Sequence, residues 1–245
     1  MLGKMKNWMN AAIIAGVVFG TMAPARAENL GLKKMVGRLS ADWWEWAISA
    51  PKSVNPVGDD HGEFSVVGQH GKIWFLAGNF AGTPATRECT IPEDRSIILP
   101  ILNTVCTAFF PDGSNVQELR KCAKDSIDFV TEYSASLDGK DIKVFRVQSP
   151  LFMLSIPPDS IFSGLCDNCD DPNPNPSASI ADGYWVFIRH VTVGKHVLKM
   201  HGKSVFPDGS SYEQNMTYNL KIVPVGFPTD APAVSHKGPR VLGMH

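Results

Sequence analysis

The stretch Asp182-Gly183-Tyr184-Trp185-Val186-Phe187-Ile188-Arg189-His190-Val191-Thr192-Val193-Gly194-Lys195-His196-Val197-Leu198-Lys199-Met200-His201 decides the fold. It holds two runs rich in β-branched and aromatic residues, 184–193 and 196–201, joined through Thr192-Val193-Gly194-Lys195 and preceded by Asp-Gly. That pattern reads as turn, strand, turn, strand, with the second pair a hairpin.

The same signature continues outward. Runs at 142–148, 151–156 and 215–223 flank the stretch, shorter ones stand at 64–67, 72–77 and 96–102, and Asp-Gly pairs at 112, 138, 182 and 208 mark turns. Many short strands without alternating helices predict a mainly β fold, a β-sandwich or jelly roll, rather than a βαβ unit. There is no internal repeat, and from Pro224 to the end the chain is rich in Pro and Gly without period, which predicts a surface tail.

Two segments read as helices packed on this β core. The first, 29–50, has Ser40 and Asp42 as start signals and Pro51 as its stop, and it carries Trp43, Trp44 and Trp46 in three directions. A helix apolar over so much of its girth needs burial on several sides, so its tryptophans dock it on the sheet; the other use of Trp43 and Trp44 is a stacking platform for a ligand. The second helix, 114–133, opens on a Ser114/Gln117 capping box and repeats Val116, Leu119, Ala123, Ile127 and Val130 at helical spacing.

The N-terminus sets the compartment. Lys4 and Lys6, an apolar stretch from Ala11 to Ala23, and Ala25-Arg26-Ala27 are the three parts of a signal peptide over residues 1–27, so the protein is expected to be exported, either periplasmic or secreted. Removing those 27 of 245 residues leaves a 218-residue mature chain, read as one β-rich domain, 28–223, and the tail 224–245. The signal peptide takes three of the 23 basic residues and no acid, so the mature chain keeps 20 against 24 acids, a net charge of about −4. With no basic block and no later apolar run of membrane-spanning length, neither nucleic acid nor a membrane span is expected.

An oxidising compartment makes the five cysteines a pairing problem. The preferred assignment joins Cys106 to Cys122 and Cys166 to Cys169 and leaves Cys89 alone. The first bridge closes a loop that is worth about 3 kcal/mol in the chain-entropy model.

Signatures of the common hydrolases, zinc proteases and nucleotide binders are missing from the sequence: no G-x-S-x-G, H-E-x-x-H, phosphate loop or G-x-G-x-x-G. Three sets of residues carry chemistry instead. Cys166-Asp167-Asn168-Cys169-Asp170-Asp171 reads as a disulfide-pinned acidic surface loop and no cofactor is expected; the alternative is calcium, for which Asp167, Asp170 and Asp171 would supply oxygens, although no EF-hand pattern is present. His190 and His196 lie on the strands of the opening stretch, and His61 and His70 lie near Asp59, Asp60 and Glu63, so these four histidines are the acid-base or metal candidates. Tyr184 and Trp185, adjacent on one strand, face opposite ways, so one is core and the other a ligand-stacking candidate.

Trp43-Trp44-Glu45-Trp46, Gly68-Gln69-His70-Gly71 leading into Trp74-Phe75-Leu76-Ala77-Gly78, Cys89-Thr90-Ile91-Pro92, Pro100-Ile101-Leu102-Asn103, Asp182-Gly183-Tyr184-Trp185 and Gly194-Lys195-His196 follow in an order that resembles a widespread group of uncharacterised secreted β-rich proteins. The resemblance covers about residues 40–223 and implies an exported single domain. That group often has a cysteine before the Gly-Gln segment suited to pair with Cys89; here the stretch is Phe64-Ser65-Val66-Val67, which leaves Cys89 unpaired. Two functions are consistent with the sequence: non-catalytic binding of an extracellular ligand or protein, and a hydrolase or lyase acting on an extracellular polymer through a histidine and carboxylate site.

Overall fold

In a computed structural model describing residues 24–110, 112–161 and 176–229, the chain runs through α1 (Pro24–Ser49), β1 (Ile73–Phe75), β2 (Ala85–Pro92) and β3 (Ser96–Thr107). It continues through α2 (Val116–Ile127), β4 (Val130–Leu137), β5 (Lys140–Asp141), β6 (Val144–Gln148) and β7 (Phe152–Leu154). The three long strands β8 (Ser177–Ile188), β9 (Gly194–Val205) and β10 (Ser211–Val223) close the fold. One sheet has the order β1-β3-β8-β6, with β7 also paired to β8; the other has the order β2-β10-β9-β4-β5. The fold is mainly β, as the alternation of the long strands predicts.

The opening stretch changes sheet in its middle. β8 belongs to the first sheet and β9 to the second, so residues 189–193 cross the sandwich and the predicted hairpin does not form. Val191 in this crossing is buried in the core between the sheets, which anchors the chain where it changes sides.

Alternation builds two cores from the first sheet. Trp74, Leu76, Ile97, Leu99 and Val186 face the second sheet and meet its Leu198, Met216 and Leu220. Phe75, Ile98, Phe145 and Trp185 face the other way and take α1. The layers therefore run α1, first sheet, second sheet. Trp43 meets Trp185 edge to face with centroids 5.6 Å apart, and Trp46 stacks on Phe75 at 5.4 Å. Their indole N–H groups donate to Leu76 O at 2.8 Å and Val67 O at 2.9 Å. These contacts fix the angle at which α1 lies on the sheet.

Four local expectations are corrected. The second helix ends at Ile127, and 130–137 is strand β4: Asp128 closes the last turn through its N–H to Lys124 O, and the β-branched Val130 and Thr131 then join β9. Its N-cap is Asn115, whose Oδ1 accepts from the N–H groups of Gln117 and Glu118, while Glu118 reaches back to the N–H and hydroxyl of Ser114. Residues 64–67 form turns, not a strand. Asp182-Gly183 lies inside β8: a Cβ at Gly183 would stand 2.7 Å from that of Asn103 on β3, so glycine here serves close strand approach rather than a turn. The Asp-Gly pairs at 138 and 208 do make turns, Asp138 and Gly139 both having left-handed backbone (φ 52° and 76°).

Cys106 and Cys122 form the predicted disulfide, joining β3 to α2. Cys89 is a free, buried thiol. Cys166, Cys169, Asp167, Asp170 and Asp171 lie outside the described residues, as does the tail beyond residue 229. α1 begins at Pro24, ahead of the expected cleavage point.

Candidate functional site

The first sheet breaks register in β3. In β3, Pro100 pairs with Trp185 and Leu102 with Tyr184, leaving Ile101 as an extra residue, a bulge of the kind that re-aims neighbouring side chains. Past β1 the chain leaves the first sheet through Gly78 and Asn79, and β10 brings Tyr212 and Gln214 against it. Between these segments and Trp43 lies a cavity of about 240 Å³, with Asn103 in its wall.

Most polar groups of this wall hold one another. Gln214, itself buried, donates to Asn79 O at 2.6 Å and to the Tyr212 hydroxyl at 3.2 Å, and Tyr212 donates to Asn79 O at 2.8 Å. The Asn79 side chain is committed to its own loop, to Thr83 O and the Gly82 N–H. A Cβ on Gly78 would stand 2.2 Å from Gln214 Oε1, so only glycine lets the glutamine lie there. Burial raises the Tyr212 pKa, which keeps its hydroxyl protonated as a donor. Asn103 is the exception: its Nδ2 is buried and has no hydrogen-bond partner among the described residues.

The four histidine candidates stand in four different places. His61 and Glu63 line an open cleft of about 880 Å³ along β2 with Glu88, Asn219 and Lys221. Asp59 does not serve that cleft; its carboxylate accepts from the N–H groups of His61, Gly62 and Phe64 at 2.8–2.9 Å and builds the loop. Asp60 is exposed. His70 lies in a separate cleft of about 420 Å³ with Asp42 and Glu45, its Nδ1 2.9 Å from Gly68 O. Desolvation by burial pushes both of those carboxyls up, and Glu45 is raised further by Asp42. His190 is exposed just beyond β8.

His196 is a latch. Its Nδ1 lies 2.7 Å from Asp138 Oδ2 and its Nε2 2.8 Å from Thr192 O, while Asp138 Oδ1 accepts from the Val197 N–H. Both ring partners are acceptors, so only the imidazolium donates to both. The hydrogen bond with Asp138 raises the His196 pKa, and the same bond lowers that of Asp138. A raised histidine stabilises fully below its unfolded value, near 6.5, and that stability is lost as pH rises through the folded value; the Asp138 half is lost in acid, as pH falls through its lowered folded value. Thermal melts are expected to show a stability decline above about pH 6.5 that His196→Gln removes; an unchanged slope in the variant would assign the decline to another group.

The aromatic candidates divide by burial. Trp43, Trp44 and Trp185 are 3%, 4% and 0% exposed, so their rings are core and present no open face for stacking. Tyr184 stacks on Tyr133 across the sandwich, with centroids 4.2 Å apart and the Arg146 guanidinium 5.8 Å from its ring. Burial pushes the Cys89 thiol up to about 11, so it is a poor nucleophile. Among the described residues, the metal-ligating group formed by Cys106, Cys122 and Asp112 has both cysteines committed to the disulfide.

Sequence reasoning passed over Asn79, Asn103, Tyr212 and Gln214 as a set. One signal was available: Tyr212, Gln214, Met216, Tyr218 and Leu220 share one face of β10, and a glutamine on a core-facing row is a polar group that needs a reason to be there. No protein family, characterised protein or solved structure matches the chain.

Proposed function

We propose that the protein is an exported binding protein whose ligand seats in the cavity between Trp43, Asn103 and Gln214. The observation that carries this reading is the Asn103 amide. A buried donor without a partner costs about 1–3 kcal/mol, which an apolar side chain of similar size would avoid; Nδ2 is closed to solvent as it stands, Asn103 lines the cavity, and a half-turn of the amide is the motion that would let a ligand acceptor meet the donor. The bulge at Ile101 and the glycine at Gly78 both border the same cavity, as built sites tend to do. The segments ending in Gly78 and Asn103, and that containing Trp43, are among those that carry the resemblance to secreted β-rich proteins. Export itself is supported by the basic, apolar and small-residue order of the first 27 residues.

The second reading, a hydrolase or lyase on an extracellular polymer, is supported by one observation: Asp42 and Glu45 sit one helical turn apart with raised pKa values in the cleft that holds His70. One experiment separates the two. With the ¹⁵N-labelled mature protein and a library of small neutral fragments, hits are expected to move the Asn103 side-chain amide and Trp43 indole signals. Shifts confined to His70 and the Trp46 indole would favour the second reading.

A further inference from the structure

We infer that the ligand of this cavity is a neutral saccharide unit, an inference that rests on the cavity being the binding site. The wall combines the rings of Trp43, Phe80 and Tyr212 with the amides of Asn79, Asn103 and Gln214, and no lining side chain bears a formal charge. A charged ligand would surrender its hydration with no counter-charge to meet it. A wholly apolar ligand would strip water from a wall that includes Asn79, Asn103 and Gln214 and return no hydrogen bond. The occupant is therefore neutral and rich in hydrogen-bonding groups.

Hydroxyl pairs fit the amides that remain. A primary amide offers a donor and an acceptor side by side in one plane, and neighbouring hydroxyls answer with one of each. The Asn103 Nδ2 has no hydrogen-bond partner among the described residues, and a half-turn about its terminal torsion, a soft two-fold rotation, exchanges Nδ2 for Oδ1 in a residue that lines the cavity. Phe80, 55% exposed at the rim, and Tyr212 on the wall supply apolar ring faces for the C–H side of a sugar. About 240 Å³ lies below the roughly 300–1,000 Å³ of sites for drug-sized ligands, so the cavity suits one sugar ring or a chain end.

A peptide is the competing neutral ligand, and strand addition does not favour it. The Ser96 N–H and the Ile98 carbonyl point toward β1, and the next position on that edge is Pro100, which has no N–H to offer an added strand.

The test titrates ¹⁵N-labelled mature protein with the methyl glycosides of glucose, galactose, mannose and N-acetylglucosamine, and with N-acetylglycinamide as the peptide probe. At least one glycoside is expected to shift the Asn103 side-chain amide while the peptide probe does not. Asn103→Leu is expected to melt no lower than the parent, since it removes an unmet donor, yet to bind that glycoside about tenfold more weakly. Asn103→Ala replaces it should the leucine not be accommodated. Shifts of the Asn103 amide by the peptide probe alone would overturn the saccharide class and leave the site standing. Glycoside binding unchanged in both variants, or no response of the cavity to any probe, would overturn the site as well.

Discussion

Replacing Arg87 with alanine is expected to cost about 3–5 kcal/mol of stability, because it removes the group that ties the loop before β1 and the segment after it to the core of the second sheet. Arg87 on β2 is 2% exposed. Its guanidinium donates to Ala77 O at 2.6 Å, to the Tyr218 hydroxyl at 3.1 Å and to Val57 O at 3.4 Å, and forms no ion pair among the described residues. Tyr218 also donates to Ala77 O, and burial holds its pKa up, so it stays a donor. Alanine would leave a cavity and take the donor from Val57 O. Methionine fills most of that volume and removes the buried charge, while Ala77 O keeps Tyr218; Arg87→Met is therefore expected to lose only about 1–2 kcal/mol. Urea unfolding of the two variants at pH 7 measures the difference. Equal losses would show that volume is irrelevant, and a loss below about 1 kcal/mol for alanine would show that the guanidinium does not hold these segments together.

The same region shows where reading the sequence succeeds and where it stops. Strands β8, β9 and β10 announce themselves because β-branched and aromatic residues alternate over long runs, and the tryptophans of α1 announce a buried helix because no single sheet-facing stripe accommodates three of them. β2 is hidden because its inward row is Arg87, Cys89 and Ile91, and a buried arginine reads as a surface residue until its carbonyl partners, ten or more positions away in the chain, are known. β4 reads as the end of α2 because Ile127 and Val130 keep helical spacing across the cap at Asp128; only pairing with β9 breaks the pattern. Which sheet a strand joins is a tertiary choice, so 184–193 and 196–201 look like partners although they are not. The cavity is the extreme case. Asn79, Asn103, Tyr212 and Gln214 come from three distant segments, and nothing local to any of them says that they meet.

Removing the Cys106–Cys122 bridge as Cys106→Ala with Cys122→Ala is expected to cost about 3 kcal/mol, since the cysteines are 16 positions apart and the bridge acts mainly by restricting the unfolded chain. The double alanine is preferable to reduction because it leaves Cys89, the buried free thiol, untouched. What distinguishes this account from one in which the bridge pins α2 to the sheet is the behaviour of the native state. α2 has its own attachments: Leu119, Ala123 and Ile127 are buried, Arg120 and Gln148 exchange hydrogen bonds, and Arg146 on β6 bridges Asp128 at 2.7 Å and Asp182 at 3.3 Å while donating to Lys124 O. If those contacts suffice, the amides of Leu119 and Ala123 exchange through global unfolding, and the double variant speeds them by roughly a hundredfold, the same factor as the amides of β8. Exchange in α2 that accelerates well beyond that in β8 would mean that the helix opens by itself once the bridge is gone. The bridge would then stabilise the folded helix directly, and the Arg146 network would be too weak to hold it.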